Sequence, residues 1–512
     1  MLVKVYGSAV FGVEATTITV EVNMSPGIAF NLVGLPDNAI KESSYRIAAA
    51  LQNNGYKFPG KKITINMAPA DLRKEGSAYD LTLAIGILAG SGQIKEAAID
   101  EYIIMGELSL DGSLQPIKGA LPIAIKAREE GFKGFILPKQ NVKEAAIVSD
   151  LEVYGVENIL EVIEFFDKGK PLERTVINTR EEFYNSLEHL EHDFADVKGQ
   201  ESIKRCMEIA AAGGHNIILI GPPGAGKTML AKRLPSILPP MTLHEALETT
   251  KIHSVVGKVK ENVGLMSQRP FRSPHHTISD VALVGGGAYP QPGEISLSHN
   301  GVLFLDELPE FKRGVLEVMR QPLEDREVTI SRAKFTVTYP SSFMLVASMN
   351  PSPSGYFNDP DSPRTSSPAE MQRYLSKISG PLLDRIDIHI EVTPVPFEKL
   401  SEERKGESSV QIRERVTRAR QRQTERFREY ENVHYNAQMS VKHIAFFCEL
   451  DESSRQLLKT AMERLNLSAR AYDRILKVSR TIADLEGKEK IEGAHISEAI
   501  QYRSLDREGW LG

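Results

Sequence analysis

The fold is indicated most strongly by one stretch of sequence, Gly221-Pro-Pro-Gly-Ala-Gly-Lys-Thr228. It follows the apolar run Asn216-Ile-Ile-Leu-Ile220, which predicts a buried strand, and it leads into Met229-Leu-Ala-Lys-Arg-Leu, which predicts a helix. A glycine-rich turn between a strand and a helix, closed by Lys and Thr, is typical of a loop that binds nucleotide phosphates. Glycines let backbone N–H groups close around phosphate oxygens, and the helix amino terminus adds partial positive charge.

The residue types in this loop predict specific contacts. We expect Lys227 to neutralise the β and γ phosphates of ATP and the Thr228 hydroxyl to bind Mg²⁺. A glycine turn without function is the alternative, and the complete motif in its correct context argues against it. The expected nucleotide-binding residues are Gly221, Pro222, Pro223, Gly224, Ala225, Gly226, Lys227, Thr228 and Met229.

A second acidic element is needed for nucleotide hydrolysis, and Gly301-Val-Leu-Phe-Leu-Asp306-Glu307 supplies it. The pattern predicts an apolar strand that ends in two carboxylates. Asp306 would hold Mg²⁺ through water, and Glu307 would orient and deprotonate the attacking water. A strand ending in a solvated acidic turn is the alternative, which the phosphate loop about eighty residues earlier disfavours.

Two further elements follow. Phe343-Met-Leu-Val-Ala-Ser-Met-Asn350 predicts another buried strand, and Asn350 at its end could polarise the same water. Ser379-Gly-Pro-Leu-Leu-Asp-Arg385-Ile-Asp387 offers an arginine whose charge could stabilise the γ-phosphate transition state. From spacing alone, a surface ion pair between Arg385 and a neighbouring aspartate is the stronger interpretation.

Length and composition set wider bounds. A chain of 512 residues with 41% hydrophobic and 25% charged residues predicts a globular protein of two to four domains. Two cysteines, Cys206 and Cys448, support neither a disulfide scaffold nor a Cys-rich zinc module. No apolar run approaches the ~20 residues that cross a membrane, and no secretory signal follows Met1, so we expect a cytoplasmic protein. The net charge of −6 means that any nucleic acid must be held by a local basic surface.

Together, the loop, the Leu-Asp-Glu strand, the Asn350 strand and Gly380-Pro-Leu-Leu-Asp-Arg-Ile-Asp387 resemble an AAA+ ATPase. Arg269-Pro-Phe-Arg-Ser-Pro-His-His-Thr-Ile-Ser279 and Pro292-Gly-Glu-Ile-Ser-Leu-Ser-His-Asn300 resemble the magnesium-chelatase-like branch, the YifB/ComM proteins, over essentially the whole chain. The resemblance implies that Asn350 is the sensor-1 residue and that Arg385 is an arginine finger for a neighbouring subunit's ATP. It implies Arg470 as the sensor-2 arginine, with Arg474 as the less favoured candidate. A ring of six subunits is implied too, because an arginine acting across an interface requires an oligomer.

The resemblance also sets the fold class, which is α/β: an AAA+ P-loop NTPase core with a helical lid, preceded by an α+β Lon-protease-like domain. Gly106-Glu-Leu-Ser-Leu-Asp-Gly-Ser-Leu-Gln-Pro-Ile117 and Gly134-Phe-Ile-Leu-Pro-Lys-Gln-Asn-Val-Lys-Glu144 carry the Lon likeness. The predicted boundaries are 1–168 for the Lon-like domain, 169–192 for a linker, 193–393 for the ATPase core and 394–512 for the lid.

The Lon-like domain lacks the Ser–Lys dyad of an active protease. Where the resemblance places the nucleophile, in Lys74-Glu-Gly-Ser-Ala78-Tyr-Asp80, the chain has Ala78. Ser77 and Lys118 lie near the expected positions in sequence, which leaves a shifted dyad conceivable. Because a nucleophile displaced by one residue points away from the chemistry, we predict no proteolysis and a structural, ring-forming or DNA-guiding domain.

Two basic segments are candidates for binding DNA. Arg326-Glu-Val-Thr-Ile-Ser-Arg332-Ala-Lys334-Phe-Thr-Val-Thr-Tyr339 predicts a hairpin with a basic tip, which resembles the pore hairpin of this AAA+ branch. Arg332 and Lys334, repeated around a ring, would attract phosphates, whereas a solvated hairpin with two surface cations is the alternative. The stretch Gln411–Arg428 carries seven arginines, and binding of the DNA backbone or internal ion pairs explain it equally well.

The sequence gives little support for any metal besides Mg²⁺. His275 and His276 are adjacent but lack partners at ligand spacing, so nucleotide-interface or substrate contacts are favoured. Many members of the family carry two Cys-x-Cys-like pairs after the sensor-1 asparagine. Here Ser352, Ser354, Arg364 and Ser366 stand near those positions, so we expect no zinc.

The sequence and the resemblance together predict an ATP-hydrolysing ring motor that acts on branched or single-stranded DNA, as a branch-migration helicase or translocase in recombination or natural transformation. One alternative is a magnesium-chelatase-like metal-insertion subunit. The other is a regulatory or chaperone-like AAA+ ATPase that acts on protein, which would favour an aromatic rather than a basic pore loop.

Overall fold

The computed structural model describes residues 2–95, 98–186, 192–261, 263–287, 289–332, 335–353, 367–396 and 406–503, with the backbone alone for 182, 184–186, 332, 335 and 368. The chain forms two compact units. The first comprises Met1–Ser186 and Leu243–Ser267, and the second comprises Leu187–Thr242 and Gln268–Gly512. The domain boundaries expected from the sequence stay a prediction, and the inclusion of Leu243–Ser267 in the first unit was not anticipated.

An eight-stranded mixed sheet is the centre of the first unit, with strand order β10-β9-β8-β5-β1-β2-β4-β3. Alternation in β2 buries Ile18, Val20 and Val22 on one face and leaves polar residues on the other, as expected for a sheet covered on one side. The strands are β1 Leu2–Phe11, β2 Glu14–Ser25, β3 Ala29–Val33, β4 Lys62–Ala68, β5 Tyr102–Ile104, β8 Gly134–Pro138, β9 Glu152–Val156 and β10 Arg174–Thr175, with a separate pair β6 Glu107–Leu108 and β7 Leu114–Gln115.

The helices of the first unit pack on this sheet. The central one, α3, is buried from Asp80 to Gly90, and Gly86 is required there because a Cβ would lie 2.8 Å from a methyl group of Val22. The helices are α1 Asn38–Lys41, α2 Ser43–Asn53, α3 Asp80–Ser91, α4 Ala120–Glu129, α5 Val142–Ala145, α6 Ile159–Lys168 and α7 Thr179–Ser186.

A five-stranded parallel sheet organises the second unit, with strand order β12-β15-β18-β11-β19. Its central strands are buried along their whole length, as expected for a parallel sheet covered on both faces. The strands are β11 Ile217–Ile220, β12 Phe271–Arg272, β15 Val302–Leu305, β18 Met344–Met349 and β19 Ile388–Glu391; β13 Gly285–Gly286 pairs with β14 Gln291–Pro292, and β16 Glu327–Arg332 pairs with β17 Phe335–Pro340.

Helices surround this sheet and continue into a helical region at the carboxyl end of the chain. In chain order they are α8 Glu201–Gly213, α9 Lys227–Ile237, α10 Leu243–Val255, α11 Asp280–Val284, α12 Glu294–Leu297, α13 Arg313–Glu317, α14 Arg320–Asp325, α15 Pro368–Leu375 and α16 Gly380–Leu383. The helical region consists of α17 Ser409–Arg426, α18 Val441–Phe447, α19 Glu452–Arg464, α20 Ala469–Glu486 and α21 Gly493–Gln501, and its apolar residues share one core with the sheet.

Helix α10 lies in the sequence between two ATPase-type elements, yet it belongs to the first unit. It packs against α4, and the backbone N–H of Gly119 donates to the carbonyl of Ser254 at 3.0 Å. Ala246 and Ile252 are fully buried. Among the described helices of both units, none is long and apolar enough to cross a membrane.

Candidate nucleotide site

Polar side chains follow three adjacent strands of the second unit's sheet, β11, β15 and β18. Because these strands are parallel, their carboxyl ends meet at one edge, which we call the carboxyl edge. The glycine loop leaves β11 at this edge, and Asp306 and Asn350 directly follow β15 and β18. The sheet therefore brings the predicted loop, acidic and Asn350 elements together.

Lys227 begins α9 and folds back over the loop. Its Nζ donates to the carbonyls of Gly221 at 2.6 Å and Pro222 at 3.0 Å, and to Asn350 Oδ1 at 3.1 Å. Burial lowers the pKa of Lys227, against the opposing attraction of the carboxylates of Asp306 and Glu307. A partly buried cation with carbonyl acceptors is suited to exchange them for the charged oxygens of a phosphate.

Thr228 and Asp306 form the centre of the expected Mg²⁺ site. The Thr228 hydroxyl donates to Asp306 Oδ2 at 2.9 Å, and the hydroxyl of Ser348 donates to the other carboxylate oxygen. The sequence prediction did not include Ser348, although it lies on the Asn350 strand. Its hydroxyl also accepts the backbone N–H of Glu307 at 3.1 Å, so one side chain holds both acidic residues.

The loop geometry fits a bound nucleotide. Gly224 has a φ of +79°, and no atom lies within 4 Å of the position that its Cβ would occupy. At the other end of the loop, a Cβ at Gly221 would lie 2.2 Å from the carbonyl oxygen of Val392. Oxygen donors such as the Thr228 hydroxyl and Asp306 carboxylate suit Mg²⁺, which prefers one or two protein ligands together with phosphates. These residues would hold MgATP, which supplies the phosphoryl group to be transferred.

Glu307 has an unusual backbone. Its φ of +55° lies in the left-handed region, and its side chain is 54% exposed at the carboxyl edge. The Nδ1 atom of His276 lies 3.8 Å from Glu307 Oε2. The sequence favoured nucleotide-interface or substrate contacts for His276 but did not place it beside Glu307, because the short strand β12 that brings it here was not recognised.

The predicted arginines lie at the opposite end of the strands, which we call the amino edge. Asp384, Arg385 and Asp387 directly precede β19, and the side-chain amide of Asn216, just before β11, donates to the carbonyl of Arg385 at 2.9 Å. The five residue steps from Asn216 to Gly221 span roughly 16 Å at a strand rise of about 3.3 Å per residue. The predicted finger is therefore separated from its own chain's phosphate loop by the height of the sheet.

A cleft of about 410 Å³ opens at the amino edge. Its positive charge comes from several elements, and α20 contributes Arg470, Arg474 and Lys477. Burial lowers the pKa of Lys477 to about 8, and Arg474 adds to this shift. The described charged residues that line the cleft are Arg326, Arg385, Arg470, Arg474 and Lys477, with Glu324, Asp384 and Asp387 among them.

Ion pairs fix these arginines. Arg385 pairs with Glu324 on α14 and donates to the carbonyl of Pro381 at 2.6 Å. Burial lowers the pKa of Arg385, and the neighbouring Arg320 and Arg474 lower it further. Arg470, 70% exposed, pairs with Asp384. The structure thus brings Arg385 and Arg470 together and places neither beside Lys227.

Asp387 is buried at the amino edge and holds two neighbouring side chains. It pairs with Arg474 at 2.9 Å and with His215 Nδ1 at 3.0 Å, and His215 Nε2 contacts the Thr481 hydroxyl at 2.8 Å. Burial by itself would raise the pKa of Asp387, but Arg474 and His215 hold it below its ordinary value. The network joins α20 of the helical region to the start of β11.

The predicted basic hairpin is present as β16 and β17, with Glu327 opposite Pro340 and Arg332 opposite Phe335. Lys334 lies outside the described residues, and for Arg332 the backbone alone is described. Ser352 is buried, whereas Ser354, Arg364 and Ser366, used in the zinc argument, also lie outside the described residues. Within the described part of the chain, no three His, Cys, Asp or Glu side chains cluster to hold a metal ion.

The basic helix α17 uses several of its arginines internally. Arg415 pairs with Glu208 and Glu407, and Arg426 forms two contacts with Asp484. Arg420 donates to backbone carbonyls of α8 and lies over the ring of Tyr435 at 4.4 Å. Internal pairing therefore accounts for these three arginines, whereas Arg418, Arg422 and Arg428 are exposed.

Comparison with known proteins agrees with this geometry. The profile described as magnesium chelatase, subunit ChlI, matches residues 193–400, and two related ChlI profiles match 20–141 and 406–503. The competence protein ComM of Haemophilus influenzae is 46% identical over 508 residues, which cover 99% of this chain and 98% of ComM. The YifB protein of Escherichia coli is 44% identical over 506 residues, 98% of this chain and 97% of YifB. The chain belongs to the YifB/ComM family of magnesium-chelatase-like AAA+ ATPases.

This membership confirms the fold class predicted from the sequence, an AAA+ P-loop core in a chain that also resembles Lon. Lon protease 2 of Bacillus subtilis is 29% identical over 157 residues, 28% of this chain and 27% of that protein. At the predicted protease position, Ser77 donates to Glu107, and a Cβ at Gly257 would lie 3.3 Å from Cγ of Lys118. Ala78 contributes only its carbonyl, which accepts the N–H of Gly106 at 2.7 Å. The absence of proteolysis stays a prediction for this YifB/ComM protein.

Proposed function

We propose that this protein is an ATP-driven ring motor that moves DNA, as a branch-migration helicase or translocase in recombination or natural transformation, within the cytoplasm. The observation that carries the proposal is the position of the β16–β17 hairpin. It lies in the chain between β15, which presents Asp306 and Glu307, and β18, which presents Asn350. A hairpin joined at both ends to hydrolytic elements is well placed to move with each hydrolysis cycle.

In this proposal, the two edges of the sheet perform different parts of the reaction. Lys227 and Thr228 bind the phosphates and Mg²⁺ with Asp306, while Glu307 accepts a proton from the attacking water and Asn350 helps to orient it. Because the arginines lie at the amino edge, Arg385 and Arg470 serve a neighbouring subunit. Head-to-tail contacts of this kind close into rings, and we propose six subunits, as family membership suggests.

DNA would contact the hairpin tip. Arg332 and Lys334 from every subunit would surround the strand with positive charge despite the net charge of −6. The name of the Haemophilus influenzae relative, a competence protein, is compatible with a role in DNA uptake or recombination. ATP and Mg²⁺ are the proposed cofactors, and we propose no zinc.

The test is the ATPase rate of the full chain alone and with single-stranded, duplex and four-way-junction DNA. We expect DNA to stimulate hydrolysis, and an Arg332→Ala/Lys334→Ala double variant to lose the stimulation while keeping its basal rate. A Lys227→Ala variant should lose both activities, which confirms the site. Hydrolysis without stimulation by any of the DNAs would overturn the motor proposal and leave the ATPase intact.

A metal-insertion subunit is the second candidate, favoured by the magnesium chelatase description of all three matching profiles. It predicts hydrolysis that responds to a chelatase partner and its porphyrin substrate rather than to DNA. The same assay with four-way-junction DNA therefore separates the two candidates.

A further inference from the structure

His276 reaches Glu307 because of strand β12. This strand pairs in parallel with β15, so the chain leaves both strands at the carboxyl edge. Four residues after β12 the chain arrives at His276, and two residues after β15 it arrives at Glu307. The 3.8 Å between His276 Nδ1 and Glu307 Oε2 follows from this pairing.

Two neighbouring rings hold the imidazole of His276. The ring of His275 lies over it with centroids 4.1 Å apart, and the ring of Phe311 meets it edge-on at 6.4 Å and 79°. Phe311 is buried and follows Glu307 by four residues, so the same segment carries both groups. The Nδ1 atom of His275 contacts the hydroxyl of Thr277 at 2.9 Å, whereas it is His276 whose Nδ1 approaches Glu307.

The side chain of Glu307 requires a contact that fixes its rotamer. Its backbone is fixed by the left-handed φ and by the hydrogen bond to Ser348, but its carboxylate is more than half exposed. An exposed carboxylate samples several rotamers, and misplacement by about 1 Å can cost a reaction on the order of 100-fold. A donor at Oε2 would select the rotamer that leaves Oε1 free to accept a proton from water.

The segment that carries His276 continues to the basic hairpin. It forms α11 and then the β13–β14 pair, which contacts β16 and β17. The buried hydroxyl of Tyr339 donates to the carbonyl of Pro290 at 2.7 Å, and a Cβ at Gly285 would lie 2.6 Å from a methyl group of Ile330. Packing this close transmits a displacement of the hairpin to the segment.

We propose that His276 is a positioning residue for Glu307, and that the segment from His276 to Pro292 connects the β16–β17 hairpin to this carboxylate. The inference deepens the proposed DNA-stimulated ATPase and rests on it. At 3.8 Å the two side chains are just beyond hydrogen-bonding distance. A shift of less than about 1 Å closes the contact. Side-chain motion closes it part of the time during basal hydrolysis, and DNA bound to the hairpin shifts the segment so that the closed contact persists.

The first test compares full-length variants in steady-state ATP hydrolysis. We expect His276→Ala to lower kcat by about 10- to 100-fold, with KM for ATP unchanged because Lys227 and Thr228 are untouched. His276→Gln, which keeps a donor, should recover part of the loss. The control is His244→Gln, at a histidine that is 83% exposed and lies beside Glu248 rather than Glu307, and it should stay within about twofold of wild type. A kcat of His276→Ala equal to or above that of wild type would overturn the inference.

The second test addresses the connection to the hairpin. Tyr339→Phe removes only the hydroxyl that binds Pro290, so we expect the ratio of DNA-stimulated to basal kcat to fall at least about threefold, with DNA affinity unchanged. An unchanged ratio would refute the connection. Thr329→Val, at an exposed position of the same hairpin, is the control.

The outcomes separate this inference from the proposed function. If the wild type hydrolyses ATP without stimulation by DNA, the proposed motor function and the hairpin connection fail, and the kcat of the His276 variants still decides the positioning role. If DNA stimulates the wild type and His276→Ala equally, the inference alone fails.

Discussion

The two edges of the second unit's sheet carry opposite kinds of site. At the carboxyl edge, Lys227 contacts Asn350 and Thr228 contacts Asp306, and each of these residues lies at the start of a helix or directly after a strand. At the amino edge, Arg385 and the arginines of α20 gather from distant parts of the chain around a cleft with buried Asp387 below it. The carboxyl edge is therefore formed by short sequence motifs, whereas the amino edge is formed by the packing of elements that are far apart in the chain.

The comparison shows that one chain carries the predicted phosphate-binding residues and the predicted arginines at opposite edges of the same sheet. At the carboxyl edge, Lys227, Thr228 and Asp306 are the residues expected to bind phosphates and Mg²⁺, whereas Arg385 and Arg470 lie at the amino edge. These arginines are separated from the phosphate loop of the same chain by about the length of one strand. A second copy of the chain, with its amino edge facing this carboxyl edge, would combine them.

The largest expected effect tests this division of labour. We expect Arg385→Ala to lower the rate of hydrolysis by about 10³-fold, since that is the lower range for an arginine that stabilises phosphoryl transfer. Mixing it with Glu307→Gln, itself inactive, should restore part of the activity, because mixed interfaces pair an intact carboxyl edge with an intact amino edge. Activity that stays absent in all mixtures, with oligomers formed, would contradict sharing between subunits.

Asp387 should matter mainly for stability. We expect Asp387→Ala to lower the free energy of unfolding by about 3–5 kcal/mol, because it leaves Arg474 without its buried partner. Urea denaturation measures this change. The control is Asp384→Ala at the same edge, whose partner Arg470 is 70% exposed, and we expect a loss below about 1 kcal/mol. Equal losses in the two variants would show that burial does not distinguish them.

The amino edge should also respond to pH. Burial lowers the pKa of His215, and Lys477 and Arg474 lower it further, although Asp387 opposes the shift. The unfolded chain therefore binds a proton that the folded chain does not, and stability is lost as the pH falls below about 6.5. We expect His215→Gln to reduce the slope of unfolding free energy by up to about 1.4 kcal/mol per pH unit. Denaturation between pH 5 and 8 measures this slope, and an unchanged slope would refute the assignment.

The smallest effect is expected at the carboxyl edge. Ser348→Ala removes one hydroxyl that binds Asp306 and the backbone of Glu307. We expect a loss of about 1 kcal/mol in unfolding free energy and a decrease in kcat of less than tenfold. Thermal unfolding and steady-state hydrolysis measure the two changes. If Ser348→Ala lowered the free energy of unfolding as much as Asp387→Ala, stability would depend on the side-chain contacts of the two edges equally, which contradicts the comparison.

The same contrast explains what the sequence could predict. The loop, the acidic strand and Asn350 were predictable because each site residue adjoins an apolar strand, and parallel strands align such residues automatically. Ser348 could have been found by noting that alternate residues of a strand face the same side. The contact of His276 was not predictable because it depends on β12, a strand of two residues.

The amino edge was less accessible to sequence reasoning. Arg385 and Arg470 were assigned through the family resemblance, whereas their partners Glu324 and Asp384 follow from packing of helices that are far apart in the chain. The basic helix α17 left two interpretations open because charge spacing does not reveal the partner residues on α8 and α20. The structure gives internal partners to Arg415, Arg420 and Arg426, and DNA binding by the exposed arginines of this helix stays a prediction.

Helix α10 has a practical consequence. The chain enters the first unit, leaves it, returns at Leu243 and leaves again after Ser267. No single cut can therefore separate the two units, and a variant that lacks residues 1–186 would retain α10 while losing α4, the helix against which α10 packs its buried side chains. The two units are interlaced along the chain, so neither unit is encoded by one continuous stretch of sequence.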